Sequence, residues 1–463
     1  MTRSVQITYY LSFLLVFSYV IIRGFSLGIT HDEALTYKII QGDEILRETA
    51  NHHWLNTHLS AFFASLFGAK EFVLRLPNIL SFAIFWFYLY RIAKTFLSSS
   101  FTQIALILLL CGNPFVLDFF SLCRGYGMSL AFITASLYYL FRIYQSNENK
   151  SGNNHAFAMG FAILALASNL NTLNYFLIAL ALVLLNLVLT KPKHWIIWLS
   201  GITLVCAMTL FFSLDQLFFL KNKNELYYGS GRLSLTIDNL FFSGLYLLEG
   251  FKELIVLRYL LYISILTAIV VAFRKKQWFN PGIIALVVLT SIVLALFLEH
   301  LLFDALYPIG RSTLYLYPVI LLALLLNFDG IRFKLFRVVI LTLSWGFASL
   351  NLFTINLSQT ITWPEDRHVK EGMLLVKNDI RDKTTHTISC TWIYEPMINY
   401  YRSEYQVPVH AVFRDGINDS TEYNFIQFSD PAVWKNIKGK KHLLSHIREC
   451  GLVVYKNPVI SAN

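Results

Sequence analysis

The strongest constraint on this chain is a series of apolar runs, each near the length of a bilayer crossing. A membrane-spanning helix needs about 20 consecutive, mostly apolar residues. Runs of that kind cover 5–22, 79–90 with its flanks, 101–117, 127–141, 157–170 and 175–189. Others cover 195–212, 254–273, 283–298, 314–326 and 336–357. The hydropathy criterion therefore predicts an α-helical polytopic membrane protein with about eleven transmembrane helices. Charged residues make up only 14% of the sequence and hydrophobic ones 56%, against roughly 25% charged in a soluble chain. That balance excludes disorder and an ordinary soluble enzyme. The first run is long and ends Ile21-Ile22-Arg23-Gly24-Phe25 with no small-residue cleavage site, so it is expected to stay as the first helix rather than leave as a signal peptide.

The net charge of +10 does not point to nucleic acid, because Lys and Arg lie in small groups between the apolar runs. Alternate breaks are short and basic: Arg3, Arg91 and Lys94, Arg142 and Lys150, Lys191 and Lys193, Arg274 to Lys276, and Arg332, Lys334 and Arg337. Such loops stay in the cytoplasm. The other breaks then face outward: the first outer loop, 23–77, a turn near Asp118 to Arg124, a loop at 215–253 and a turn at 299–311. With the N-terminus inside, an odd helix count places the tail outside the inner (plasma) membrane. The chain accordingly divides into a transmembrane domain, 1–360, and a soluble extracytoplasmic α/β domain, 361–463. In the tail, helices are expected at 365–383, 395–401 and 441–449, and strands at 386–392, 407–413, 423–428 and 452–455.

The five cysteines form no C-x-x-C pair, so no zinc or redox motif is present. Cys390 and Cys450 lie in the tail, and export would permit a disulfide between them. The pairing stays open.

Four polar groups sit at outer helix mouths, where desolvation makes charge costly. The first is Thr30-His31-Asp32-Glu33-Ala34. A carboxylate here can act as a general base; equally, Thr30 and Glu33 fit a helix capping box. The second is Asn51-His52-His53-Trp54-Leu55-Asn56-Thr57-His58. Its histidine spacing matches no standard zinc signature, and an imidazole donating to phosphate is the better chemical use. The third is Cys123-Arg124-Gly125-Tyr126, with Asp118 six residues earlier as a candidate partner for the arginine. The fourth is Gly310-Arg311-Ser312-Thr313-Leu314-Tyr315. An arginine at a helix start opposes the helix dipole and calls for an anion; snorkelling to lipid headgroups is the alternative.

In order and placement these motifs resemble those of the GT-C superfamily of lipid-sugar-dependent glycosyltransferases. The nearest branch is the bacterial protein-mannosyltransferase-like group, which includes the aminoarabinose transferases of lipid A. The resemblance spans roughly residues 1–330. It rests on the acidic pair Asp32-Glu33, on Arg75-Leu76-Pro77-Asn78 at the entry to the second helix, on Arg124-Gly125-Tyr126, and on Arg311 with Tyr315. The chain departs from the family at His53-Trp54-Leu55-Asn56-Thr57, where relatives carry His- or Lys-Pro-Pro-Leu.

The resemblance implies transfer of a hexose or pentose from a polyprenyl-phosphate donor to a lipid, glycan or protein acceptor at the extracytoplasmic face. Asp32 and Glu33 would be catalytic, with Asp32 as base. His53, Asn56, Arg124, Tyr126, Arg311 and Tyr315 would bind substrate, and inversion at the sugar carbon is expected. Membrane lipids are the surrounding partners. No cofactor is expected, a divalent metal being the lesser alternative. The rival classes are a polytopic transporter or glycolipid flippase, which would place its polar groups at mid-membrane, and an inactive acceptor-binding scaffold.

Overall fold

A computed structural model describes residues 1–50, 53–145, 152–244, 280–329, 354–382, 384–418, 420–427, 442–447 and 451–457. It also describes scattered residues between 259 and 270 and between 338 and 349. A helix meets every predicted apolar run; the eighth, 254–273, and the eleventh, 336–357, are described only in part, and there residues 265–270 and 342–346 are helical. The chain divides into two compact units: Met1–Ile21, Leu46–Ser60 and Arg75–Ile355 in one, and Ile22–Ile45, Ala61–Leu74 and Asn356–Asn463 in the other.

The first unit is helical. Five helices among the described residues are long and apolar enough to cross a bilayer: α1 (Arg3–Ser26) and Glu71–Phe96, then Leu170–Thr190, Trp195–Asn222 and Pro281–Phe303. At 1.5 Å per residue the 24 residues of α1 exceed the roughly 30 Å of hydrocarbon. Its outward Leu11, Leu14 and Leu15 are exposed in a way that only lipid would cover. The third predicted run is broken. Ser100–Cys111 ends at Gly112, and Pro114–Phe120 restarts at 59° to it. The break is chemical: Asn113 caps the second piece through Phe115 N and Val116 N, and Pro114 takes a first-turn position where its missing N–H costs nothing. Tyr126–Gln145 is buried along almost its whole length and forms the centre of this unit. Ser136 Oγ reaches Ala158 O on the neighbouring helix at 2.7 Å. Asp329, just past Leu316–Phe328, accepts Ser98 N and Ser99 N at 2.8 and 2.9 Å. A carboxylate thus sits on the N-terminus of the helix that starts at Ser100, as the helix dipole favours.

The second unit joins parts of the first outer loop to the tail. Arg23 is fully buried and donates from Nη1 to Asn356 O (2.9 Å) and from Nη2 to Gln359 O (3.1 Å). Glu71 takes Lys370 Nζ at 3.0 Å and the Tyr401 hydroxyl at 2.8 Å, while Tyr401 Oη accepts Ile29 N.

The tail sheet has the order β1-β2-β4-β3, with β1 Ile388–Cys390, β2 Tyr423–Gln427, β3 His442–Ile447 and β4 Leu452–Lys456. The pair β1/β2 is parallel, and the other two pairs are antiparallel. Helix Val369–Asp379 lies on this sheet. Gly372 permits the close approach, since a Cβ there would stand 2.7 Å from the Phe425 ring. Two tail expectations are corrected. The predicted helix at 441–449 is strand β3 within its described residues, because pairing with β4 across Gly451 (φ +73°) outweighs local helix propensity. The predicted strand at 407–413 reduces to one bridge, His386 to Val409, next to Pro408, which has no N–H to give a ladder. Cys390 is buried in β1; Cys450 lies outside the described residues, and so does the question of a disulfide.

Candidate functional site

The acidic pair belongs to the second unit. Thr30 ends the loop in an extended conformation and caps α2 (His31–Gln41). Glu33 N donates to Thr30 Oγ1 at 3.4 Å, and Thr30 N donates to Glu33 Oε2 at 2.9 Å. The capping box read from the sequence is therefore formed, and Glu33 takes part in holding the turn that presents Asp32. Both carboxylates are buried. His31 N donates to Asp366 Oδ2 at 2.6 Å, so a residue of the tail satisfies one of the orphan donors of the first turn. The His31 ring is fixed as well, with Nδ1 donating to Ile393 O at 2.6 Å. Burial lowers the His31 pKa, against the raising effects of that bond and of Asp32. Burial first, then the charges of Glu365, Asp32 and Glu33, push Asp366 well above the usual carboxylate range, despite the His31 amide.

The first unit carries the histidine and both arginines. His53 is buried, its Nδ1 donates to Ser168 O at 2.9 Å, and its ring stands edge-on to Tyr126 with centroids 4.7 Å apart. Arg124 is fully buried, with Cζ 5.9 Å from the Tyr126 ring. Gly125 lies between them because nothing larger fits: a Cβ there would stand 1.9 Å from Ser168 O and 2.8 Å from His53 Nδ1. Asn56 is also buried. It donates to Cys123 O at 3.3 Å and accepts Asn78 Nδ2 at 2.6 Å, while Asn78 Oδ1 accepts Met128 N at 3.2 Å. The two asparagines thus tie helix Trp54–Phe67 and helix Glu71–Phe96 to both sides of the Arg124 turn. His53, Asn56, Arg124 and Tyr126 form one cluster. Asn78 and Ser168 complete it. Asn78 belongs to the Arg75-Leu76-Pro77-Asn78 motif, which marks the helix entry but gives Asn78 no role; Ser168 offers a backbone carbonyl, which no sequence pattern marks.

Arg311 lies in a separate turn, Gly310–Thr313, with its Cζ 5.2 Å from the Tyr228 ring. That turn is pinned by Ser230 and Tyr307, which exchange backbone bonds of 2.9 and 2.8 Å. Gly310 adopts φ +54°, a left-handed conformation suited to glycine. Tyr315 is buried behind it. Helix Leu233–Gly244 packs against both this turn and Pro114–Phe120, the segment that leads into Arg124. Among the described residues no group of three His, Cys, Asp or Glu side chains is arranged to hold a metal ion.

This architecture has known counterparts. Crystal structures of ArnT from Cupriavidus metallidurans, one bound to undecaprenyl phosphate and one in the apo state, superpose with TM-scores of 0.58 and 0.54. Each is 11% identical in sequence. The first comparison covers 99% of both chains, and the second covers 98% of this chain and 97% of that one. The chain shares the fold of these ArnT structures. The GT-C resemblance carried by the motifs therefore holds at the level of fold. A family model described as dolichyl-phosphate-mannose-protein mannosyltransferase also matches residues 52–213. That stretch contains His53, Asn56, Arg124 and Tyr126. No curated protein sequence matches. The chain is a multi-pass membrane protein that shares the fold of these ArnT structures.

Proposed function

We propose that the protein transfers a sugar from a polyprenyl-phosphate carrier to an acceptor at the outer face of the inner membrane, inverting the sugar carbon. Residues 1–360 form the catalytic membrane domain, with the N-terminus cytoplasmic, and 361–463 an exported domain. The observation that carries this reading is the buried cluster of His53, Arg124 and Tyr126, braced by Asn56 and Asn78. An arginine ordered by packing loses little further freedom on binding, and its planar guanidinium matches two phosphate oxygens.

In this mechanism Arg124, Arg311 and His53 hold the carrier phosphate and stabilise the charge that grows on the bridging oxygen as the bond to the sugar breaks. Asp32 takes the proton of the acceptor hydroxyl as that oxygen attacks the sugar carbon. Glu33 acts through the capping box, fixing the backbone that carries Asp32. Asn56 positions the Arg124 turn, while Tyr126 and Tyr315 line the substrate region. The carrier phosphate leaves as the dianion on its lipid, so no nucleotide is needed.

The test is mass spectrometry of envelope glycolipids and glycoproteins in a deletion strain. Loss of one sugar from a defined product is expected, with recovery on expressing the wild-type protein. An unchanged set of glycans contradicts the reading.

A further inference from the structure

We propose that Trp392 and Arg414 form a platform for a sugar ring of the acceptor, so that the acceptor is a glycan or a glycolipid headgroup. This rests on the transfer reaction proposed above and names its acceptor. Trp392 opens a short 3-10 turn, Trp392–Tyr394, directly after strand β1. It is 56% exposed, although most of its neighbours in that turn and the following helix are buried. Its indole stands at 81° to the His31 ring, with centroids 5.7 Å apart. His31 is the residue before Asp32, and it is held at both ends, by Ile393 O and by Asp366. The exposed indole is thereby locked beside the turn that presents the catalytic carboxylate.

Arg414 supplies the polar half. Its Cζ stands 6.0 Å from the Trp392 ring centroid, beyond stacking contact. Its Nε donates to Glu395 Oε2 at 3.3 Å, and the side chain is 48% exposed. The Nη amines bond no described residue. Glu395 is in turn fixed by Lys38 Nζ and by Asn399 Nδ2, both at 2.7 Å. The guanidinium is therefore anchored at its root with its fork outward, next to an open aromatic surface. A pyranose matches that pair: its C–H face covers the indole, and its hydroxyls or an acidic substituent take the guanidinium. A lipid-anchoring indole would sit among other exposed apolar side chains. The rings and charges set against this one are His31 and Arg414, with Glu395 behind Arg414, which suit a polar ligand; the exposed Phe413 beside Arg414 adds a second apolar face for a sugar ring.

The test uses the purified full-length protein in nanodiscs, saturating donor and, as acceptor probe, the glycolipid fraction extracted from envelopes of the deletion strain. Trp392→Ala should raise the acceptor KM about tenfold, as removal of a central aromatic contact does. The donor KM should stay near wild type, and Trp392→Phe should restore most of the loss. Arg414→Ala, at a half-exposed position, should raise the acceptor KM too, and it carries the test if Trp392→Ala is poorly produced. An unchanged acceptor KM in these variants overturns the platform, as does an equal rise in the donor KM. Transfer to a protein fraction but not to the glycolipid fraction also overturns it. The Asp32→Asn variant runs alongside: full activity there, or no transfer by the wild type, defeats the parent reading instead.

Discussion

The carboxylate of Asp366 accepts the backbone N–H of His31 at 2.6 Å, so a residue of the tail completes the N-terminus of the helix that carries Asp32 and Glu33. Asp366→Ala leaves that buried donor without its acceptor, a cost of about 1–3 kcal/mol, and should lower both thermal stability and transfer. Asp366→Asn keeps an acceptor oxygen and should retain most of the stability. The two variants should also differ with pH. Burial and neighbouring carboxylates raise the folded pKa of Asp366 above its unfolded value of about 4. The folded state then binds the proton more tightly. That contribution is fully present below pH 4 and is lost as the pH rises through the raised value. Unfolding followed from pH 4 upward should show this decline in the wild type and a flatter profile in Asp366→Asn.

Gly125→Ala should be among the most damaging small substitutions in the chain. The new methyl would meet Ser168 O at 1.9 Å and His53 Nδ1 at 2.8 Å, and a backbone carbonyl cannot swing aside as a flexible side chain can. The His53–Ser168 hydrogen bond should break and the Arg124 turn should shift. Transfer should fall at least tenfold, while a control such as Gly160→Ala, where a Cβ meets nothing within 4 Å, should behave as wild type.

Asn78→Leu removes the donor to Asn56 and the acceptor for Met128 N. Leaving those buried groups unpaired costs about 1–3 kcal/mol each. Thermal unfolding in detergent should show the loss, and kcat should fall with little change in donor KM if the Arg124 turn loosens without being lost.

Arg124→Lys and Arg311→Lys separate phosphate binding from snorkelling. Lysine keeps the charge and loses the fork. A hydrogen bond to a charged group is worth about 1.5–3 kcal/mol, so each variant should lose about ten- to a hundredfold in turnover if the bond acts in the transition state. If both arginines hold one phosphate, the double variant should lose less than the sum of the two. Near-normal turnover in both, at normal membrane levels, would leave Arg124 a packing residue and Arg311 a headgroup anchor.

Much of this arrangement was legible in the sequence because membrane insertion writes long, simple patterns. The apolar runs marked helices, and the Asn-Pro pair at 113–114 now accounts for the break within one of them. The capping box at Thr30 and Glu33 was readable, and so were both arginine turns. Long-range pairing was not. The helix expected at 441–449 gives way to a strand because its partner, Leu452–Lys456, supplies hydrogen bonds that no local pattern encodes. Asp366 and His31 lie 335 positions apart, and the carbonyl of Ser168 has no sequence signature at all. Nor does any local pattern show that parts of the first outer loop join the tail in one compact unit.

The central claim is tested most directly by following a radiolabelled sugar on polyprenyl phosphate with purified protein and an envelope extract. The account predicts that label moves to an acceptor while an equal amount of free polyprenyl phosphate appears. It further predicts that Asp32→Asn, which leaves the Thr30–Glu33 capping box in place, reduces both signals by about a hundredfold or more. Intact donor carried across the bilayer with no release of polyprenyl phosphate, or full transfer by Asp32→Asn, would contradict it.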